Sequence, residues 1–158
     1  MPIEKNKKNA VIFWILTVLC MGVIFFLSSR TADESASESS RILEFLISVF
    51  GEGFFTDFIV RKAAHCLEFA GLCFLFNFSF YFSFEEPKRI LSVVLTSLYA
   101  VTDEVHQIFV EGRSCEVRDW AIDTAGAFLG LLAFIMIMLV FKKILTAKSD
   151  SYNIGEID

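Results

Sequence analysis

The sequence predicts an all-α integral membrane protein: a four-helix bundle with both termini in the cytoplasm and a short amphipathic outer-surface helix between helices one and two. Three observations carry this reading. The chain is 55% hydrophobic, with 19 Phe among 158 residues, and its mean hydropathy is +0.60. That is more apolar surface than a soluble core of this length can bury. Four long apolar stretches are separated by charged or Pro- and Gly-containing turns. Finally, three of the four lose their apolar character at one end only, and those ends hold both histidines, His65 and His106, beside carboxylates.

The first span covers about residues 10–28. Ala10 to Leu27 is 18 residues without a charge; at 1.5 Å per residue this approaches a hydrocarbon core of roughly 30 Å. Lys5, Lys7 and Lys8 precede it, as in a secretory leader. The apolar run is longer than a leader's, however, and no small-x-small cleavage site follows, which favours a retained helix. The long connection from Ser28 to Ile59 comes next. Thr31 to Ser40 is rich in Ser and acids and reads as loop with a helix start. Arg41 to Phe50 places Ile42, Phe45, Leu46 and Val49 at helical spacing, which reads as an amphipathic helix on the outer surface or a lid folded over the bundle. The second span is expected over about 63–84, the third over 90–110 and the fourth over 120–141. The run Glu85-Glu86-Pro87-Lys88-Arg89 separates the second from the third, because proline and a charge run both stop a membrane helix. Glu111-Gly112-Arg113-Ser114 turns the chain into the fourth. Residues 1–145 form one membrane domain on this reading, and 146–158 a disordered cytoplasmic tail.

Orientation follows from charge. Lys5, Lys7, Lys8, Lys88, Arg89, Lys142, Lys143 and Lys148 fall on one side of the four spans, and Arg30, Arg41, Arg61, Lys62, Arg113 and Arg118 on the other. The count is 8 against 6, with acids concentrated in the second set. The positive-inside rule then puts both termini inside. Trp120 and Tyr81 lie near span ends, where aromatic belts belong.

The ionisable residues therefore gather at the outer ends of spans two, three and four. Arg61, His65 and Glu68 fall near one helical face at spacings of four and three. Asp103, His106 and Gln107 share a face at the same spacings, with Glu104 rotated by roughly 100°. Asp119 and Asp123 are one turn apart. Asp103 lies roughly 10 Å in from the helix end. Facing lipid there would be costly, about 2.5–3.5 kcal/mol at the bilayer centre and less near the surface, so it should point inward. Three readings fit these residues. One is a structural hydrogen-bond network that glues the helices, with Arg113 or Arg118 neutralising the acids. The second is a divalent metal site for zinc or manganese, with His65, Asp103 and His106 as candidate ligands; there is no compact H-E-x-x-H motif to support it. The third is a polar pocket for an anionic lipid-linked group. In it Arg61, Arg113 and Arg118, with Gln107 and Asp119, line the ligand site, since guanidinium matches phosphate bidentately. His65, Glu68, Asp103, Glu104, His106 and Asp123 then supply acid or base groups for any chemistry.

Other features bound the function more loosely. A formal charge of -5 argues against nucleic acid, which selects for basic patches. Cys20, Cys66 and Cys73 lie in apolar stretches and suit packing as small hydrophobes. Cys115 stands alone in a loop and defines no disulfide framework. Gly126 and Gly130 form a G-x-x-x-G that lets helix backbones approach, within the bundle or in a dimer, and Ala70 and Gly71 can receive it.

Set side by side, these stretches resemble the VanZ-like family of small bacterial membrane proteins. The resemblance rests on Phe25-Phe26-Leu27-Ser28-Ser29, on Arg61-Lys62-Ala63-Ala64-His65-Cys66-Leu67-Glu68-Phe69, and on the run from Tyr99 through Asp103-Glu104-Val105-His106-Gln107-Ile108-Phe109-Val110 to Gly112-Arg113. Arg118-Asp119, Asp123-Thr124-Ala125-Gly126 and Gly130 complete it, over about residues 10–141. The chain departs from the family pattern at Glu111 (usually Pro), Phe69 (often Tyr) and Asp123 (often Asn). The resemblance implies a bacterial plasma-membrane protein with a cell-envelope role, associated through the family's name with resistance to teicoplanin-type glycopeptides. It implies membrane lipids as partners, with a lipid-linked envelope precursor or a lipoglycopeptide as ligand. A non-enzymatic scaffold is an alternative. So is a subunit of an oligomeric transporter, since four helices alone enclose no aqueous path.

Overall fold

The computed structural model describes residues 7–154, with side chains to residue 147. The described chain is entirely helical: α1 (Lys7–Ser28), α2 (Ala32–Phe50), α3 (Asp57–Phe84), α4 (Arg89–Gln107) and α5 (Val117–Ile154). Lys5 and residues 155–158 lie outside it. α3 is the central element, packing against each of the others and most extensively against α5.

Three helices are long and apolar enough to cross a membrane: α1, α3 and the part of α5 from Val117 to Ala147. Four spans were expected from the sequence. The third, now α4, falls short of that composition because of Ser92, Thr96, Ser97, Thr102, Asp103, Glu104 and Gln107. Its polarity is arranged inside out. Ser92, Thr96, Ala100, Asp103, Glu104 and Gln107 are buried along one stripe, whereas Ile90, Leu91, Val94, Leu98, Val101 and Val105 are exposed. Large apolar side chains outside and polar ones inside suit hydrocarbon surroundings.

The second correction concerns α2. The Ser- and acid-rich stretch, expected to be loop with a helix start, is helical from Ala32 onward. Its start is a capping box: the Thr31 hydroxyl accepts from the Glu34 amide at 3.3 Å, and the Glu34 carboxylate accepts from the Thr31 amide at 3.0 Å. Two otherwise unpaired donors are satisfied, which offsets the poor helix propensity of the serines that follow. α2 packs on α3, and the Ser39 hydroxyl donates to Asp57. Its N-terminus meets the α4–α5 turn, where the Ala32 amide donates to the Glu111 carbonyl at 3.2 Å. Ile42, Phe45, Val49 and Phe50 stay exposed. The first half therefore folds over the ends of the other helices, and the second half presents an apolar face outward.

Remaining boundaries shift by tertiary packing. α3 begins at Asp57, earlier than expected, capped by the Thr56 hydroxyl. α4 ends at Gln107. α5 begins at Val117 and continues to Ile154, past the expected end at residue 141 and through most of the stretch read as a tail.

The core combines Ile24, Phe69, Leu72, Phe76, Phe80 and Ala100, with Trp14, Cys20, Met21, Leu95 and Tyr99 against it. α5 approaches α3 through the G-x-x-x-G. A methyl group on Gly126 would run into the Cys66 carbonyl, and one on Gly130 into the Ala70 carbonyl. Only glycine permits that approach, so the seam lies within the molecule. The α4–α5 turn is tightened at Gly112, whose φ of +73° favours glycine and whose Cα faces Ala32.

Candidate functional site

The polar residues gather where the N-terminal ends of α3 and α5 meet the C-terminal end of α4. Asp103 and Gln107, one turn apart on α4, are both buried. The Gln107 amide donates to Asp103 Oδ2 at 3.0 Å and to the Ser28 hydroxyl at 3.2 Å, tying α4 to the end of α1. Glu104, expected to be rotated away, is also buried, and its Oε2 accepts from the Glu116 amide at 2.7 Å. That contact locks the start of α5 onto α4.

His106 is the residue the sequence misplaces. Its Nε2 lies 3.0 Å from the Ser29 hydroxyl, and its ring sits 4.4 Å from that of Phe25. It therefore faces α1, away from His65. The third position near His65 and Asp103 belongs instead to Asp123. One ligand atom from each of His65, Asp103 and Asp123 lies within 4.8 Å of the other two. Asp123 has no exposed surface, and neither carboxylate oxygen has a hydrogen-bond partner. Glu68 on α3 is in electrostatic contact with Asp103 and Arg113.

A rim of cations surrounds this interior. Lys62 Nζ is 2.5 Å from Asp119 Oδ2, both side chains being about 15% exposed or less. In the sequence Lys62 stands out only as a charge; its place one helical turn before Cys66, facing α5, makes it the partner of Asp119. Arg61 lies 3.7 Å from Asp57. Arg118 pairs with Glu116 at 2.8 Å and lies over the Phe58 ring. Arg113 is in none of the ion pairs among the described residues. Its Nε donates to the Arg30 carbonyl at 2.8 Å, which aims the guanidinium into the cluster. Half-burial lowers its affinity for a proton, Asp103, Glu68 and Glu104 raise it, and Arg61 opposes them.

Two clefts open onto these groups. One, of about 170 Å³, is lined by Phe58, Arg61, Lys62, His65, Arg113 and Arg118, with Ser35, Gln107, Glu116 and Asp119 around them. The other, of about 190 Å³, runs under α2 past Leu27, Ile42, Val60 and Glu68. Ser35, Arg61, His65 and Arg113 line both. The sequence-derived site residues fall at one end of the molecule: Glu68, Asp103, Glu104 and Asp123 form an acidic interior, Arg61, Arg113 and Arg118 form a basic rim joined by Lys62, and His65, Gln107 and Asp119 lie where the two meet. His106 lies apart, against α1.

Apolar helices that turn ionisable side chains inward at one end define a helical membrane protein with a polar site. The family model described as VanZ/LLP1 matches residues 13–141, and the chain belongs to that family. No curated protein and no solved structure matches it.

Proposed function

We propose that the protein is a multi-pass protein of the bacterial plasma membrane whose basic cleft takes the anionic group of a lipid-linked envelope component. α4 crosses the membrane as the third of four spans, with α1, α3 and α5, and the α4–α5 turn faces outward. By occupying or altering that component, the protein limits access of lipid-anchored glycopeptides such as teicoplanin to the membrane surface.

The observation that supports this best is Arg113. It is a half-buried guanidinium, held by the Arg30 carbonyl and in no ion pair, in a cleft that also presents Arg61, Lys62, His65 and Arg118. A guanidinium so placed is a ready partner for phosphate, since its planar donors match two oxygens at once. The apolar cleft wall under α2 can carry the first methylenes of a lipid chain.

The test is retention of a polyprenyl phosphate by the purified protein in mild detergent, read by native mass spectrometry. Arg113→Gln should weaken retention at least tenfold, equivalent to about 1.4 kcal/mol. Arg118→Gln should weaken it less, because Arg118 is exposed and already paired with Glu116. Equal retention by wild type and Arg113→Gln would sink the reading. The exposed Cys115 in the α4–α5 turn checks orientation. A membrane-impermeant maleimide should label it in intact cells, with Cys115→Ser as control. Labelling only after permeabilisation would place the cleft on the wrong side.

A further inference from the structure

We infer that His65, Asp103 and Asp123 form a binding site for one divalent first-row cation, of the manganese or zinc class. The inference does not rest on the lipid reading: it concerns the buried acidic interior, whereas that reading rests on the rim.

The geometry comes first. The three residues stand on three different helices, α3, α4 and α5, yet their ligand atoms converge to within 4.8 Å of one another. An ion with bonds of roughly 2.0–2.2 Å holds neighbouring ligands roughly 3.0–3.6 Å apart. Small side-chain rotations close the remaining distance. One imidazole and two carboxylates suit Mn²⁺ or Zn²⁺ better than soft metals, which select thiolate.

Asp123 supplies the independent observation. Its carboxylate is fully buried, both oxygens lack partners, and it points at the other two ligands. Buried polar atoms in folded proteins are nearly always satisfied, and a buried carboxylate with none of its acceptors used is costly. A cation at this point satisfies it. So does the charge balance. Lys62 is engaged by Asp119 and Arg61 by Asp57. Glu68, Asp103 and Glu104 gather around Arg113, while Asp123 faces other carboxylates, and a divalent ion would offset the repulsion among them.

The surroundings are arranged as around a held ligand. Gln107 fixes Asp103 Oδ2, and Ser28 lies within reach of the same amide. Such contacts orient metal-binding carboxylates. Three protein ligands leave further coordination positions open, and one of the three, His65, borders both clefts. His106, the other candidate ligand by sequence, instead meets Ser29 and Phe25.

The experiment uses the full chain in detergent, stripped with a chelator and titrated with MnCl₂ alone. Bound Mn²⁺ is counted by the loss of the free-ion electron paramagnetic resonance signal. One ion per chain is expected, displaced by Zn²⁺, with a rise in unfolding temperature as three helices are tied together. Asp123→Asn should weaken binding at least tenfold while eluting as wild type. Should that variant misfold, the wild type still decides. Pulsed resonance of the bound Mn²⁺ should show nitrogen coupling that persists in His106→Gln and vanishes in His65→Gln. Folded wild type that binds neither Mn²⁺ nor Zn²⁺ would overturn the site, as would Mn²⁺ binding unchanged in Asp123→Asn or nitrogen coupling that survives His65→Gln.

Discussion

The two ends of the helical assembly are held together by different forces. At the end formed by the start of α1 and the end of α3, the contacts are aromatic. Phe13 stacks on Phe78 and Phe82 at 4.9 and 5.2 Å, Phe134 meets Phe78 edge-on at 4.9 Å, and Trp14 meets Phe80 edge-on at 5.4 Å. Hydrogen bonds between helices are few there, such as Trp14 Nε1 to Ser83 Oγ at 3.0 Å. At the other end the helices and turns are joined by directional contacts between residues far apart in sequence: Lys62 to Asp119, Gln107 to Ser28, Glu116 to Glu104, Arg113 to Arg30. Dispersion contacts add up over area and tolerate exchange of one apolar side chain for another of similar size. Paired polar groups do not, because removing one strands the other. The aromatic end is therefore a scaffold, and the polar end is where residue identity matters.

The largest test of that division is the Lys62–Asp119 pair. Lys62→Met leaves the largely buried Asp119 with only the exposed Arg118, whose Nε is 3.9 Å away, and should cost about 3 kcal/mol, the low end for breaking a buried pair since each partner keeps some exposure. Lys62→Met with Asp119→Leu should recover most of the loss. Phe78→Leu at the aromatic end should cost less, about 1.5 kcal/mol. Denaturant unfolding in detergent, followed by tryptophan fluorescence, compares the three. If Phe78→Leu proves as damaging as Lys62→Met, the ends do not differ as argued.

A second test separates the seam from both ends. Gly130→Ala sets a methyl group against the Ala70 carbonyl and should cost about 2 kcal/mol by pushing α5 off α3. Thermal unfolding measures it. An unchanged unfolding temperature would mean that α3 and α5 separate freely and that the glycines are not what brings the polar residues of the two helices together.

Much of this was legible in the sequence. The apolar runs marked α1, α3 and α5, because hydrocarbon-scale length and composition are local properties, and they located α4 as a helix although its composition falls short of theirs. The gathering of ionisable residues at one end followed from their positions within those runs. The seam at Gly126 and Gly130 was visible as spacing, and Ala70 as its receiver. Two things were not legible. α2 begins in a run without apolar periodicity, so periodicity missed it, although Thr31 and Glu34 spell a capping box. The partition of the acids and histidines was also hidden. His106 and Gln107 share the Asp103 side of α4 by spacing alone, but the helix is rotated so that Glu104 turns inward with Asp103 while His106 turns to α1. Helical rotation is set by all the neighbours together, and no local pattern reports it. Asp123 was named for its charge; that it is the unsatisfied residue at the centre follows only from packing.

The smallest effect concerns the cap that sequence reading passed over. Thr31→Ala removes the acceptor for the Glu34 amide and should cost about 1 kcal/mol. The loss should be local, seen as roughly fivefold faster amide exchange over residues 33–37 with little change in global unfolding. It bears on function because the first turn of α2 rests on the α4–α5 turn, with Ala32 bonded to Glu111 and packed on Gly112, and because Ala32 and Ser35 line the basic cleft. Fraying there should weaken polyprenyl phosphate retention by a factor of about five at most, the same 1 kcal/mol expressed as affinity. Mn²⁺ binding should not change, since none of His65, Asp103 and Asp123 is carried by α2. A Thr31→Ala variant that lost the cation as Asp123→Asn is expected to would show that the rim and the acidic interior are one cooperative unit, and the separation drawn between them would fail.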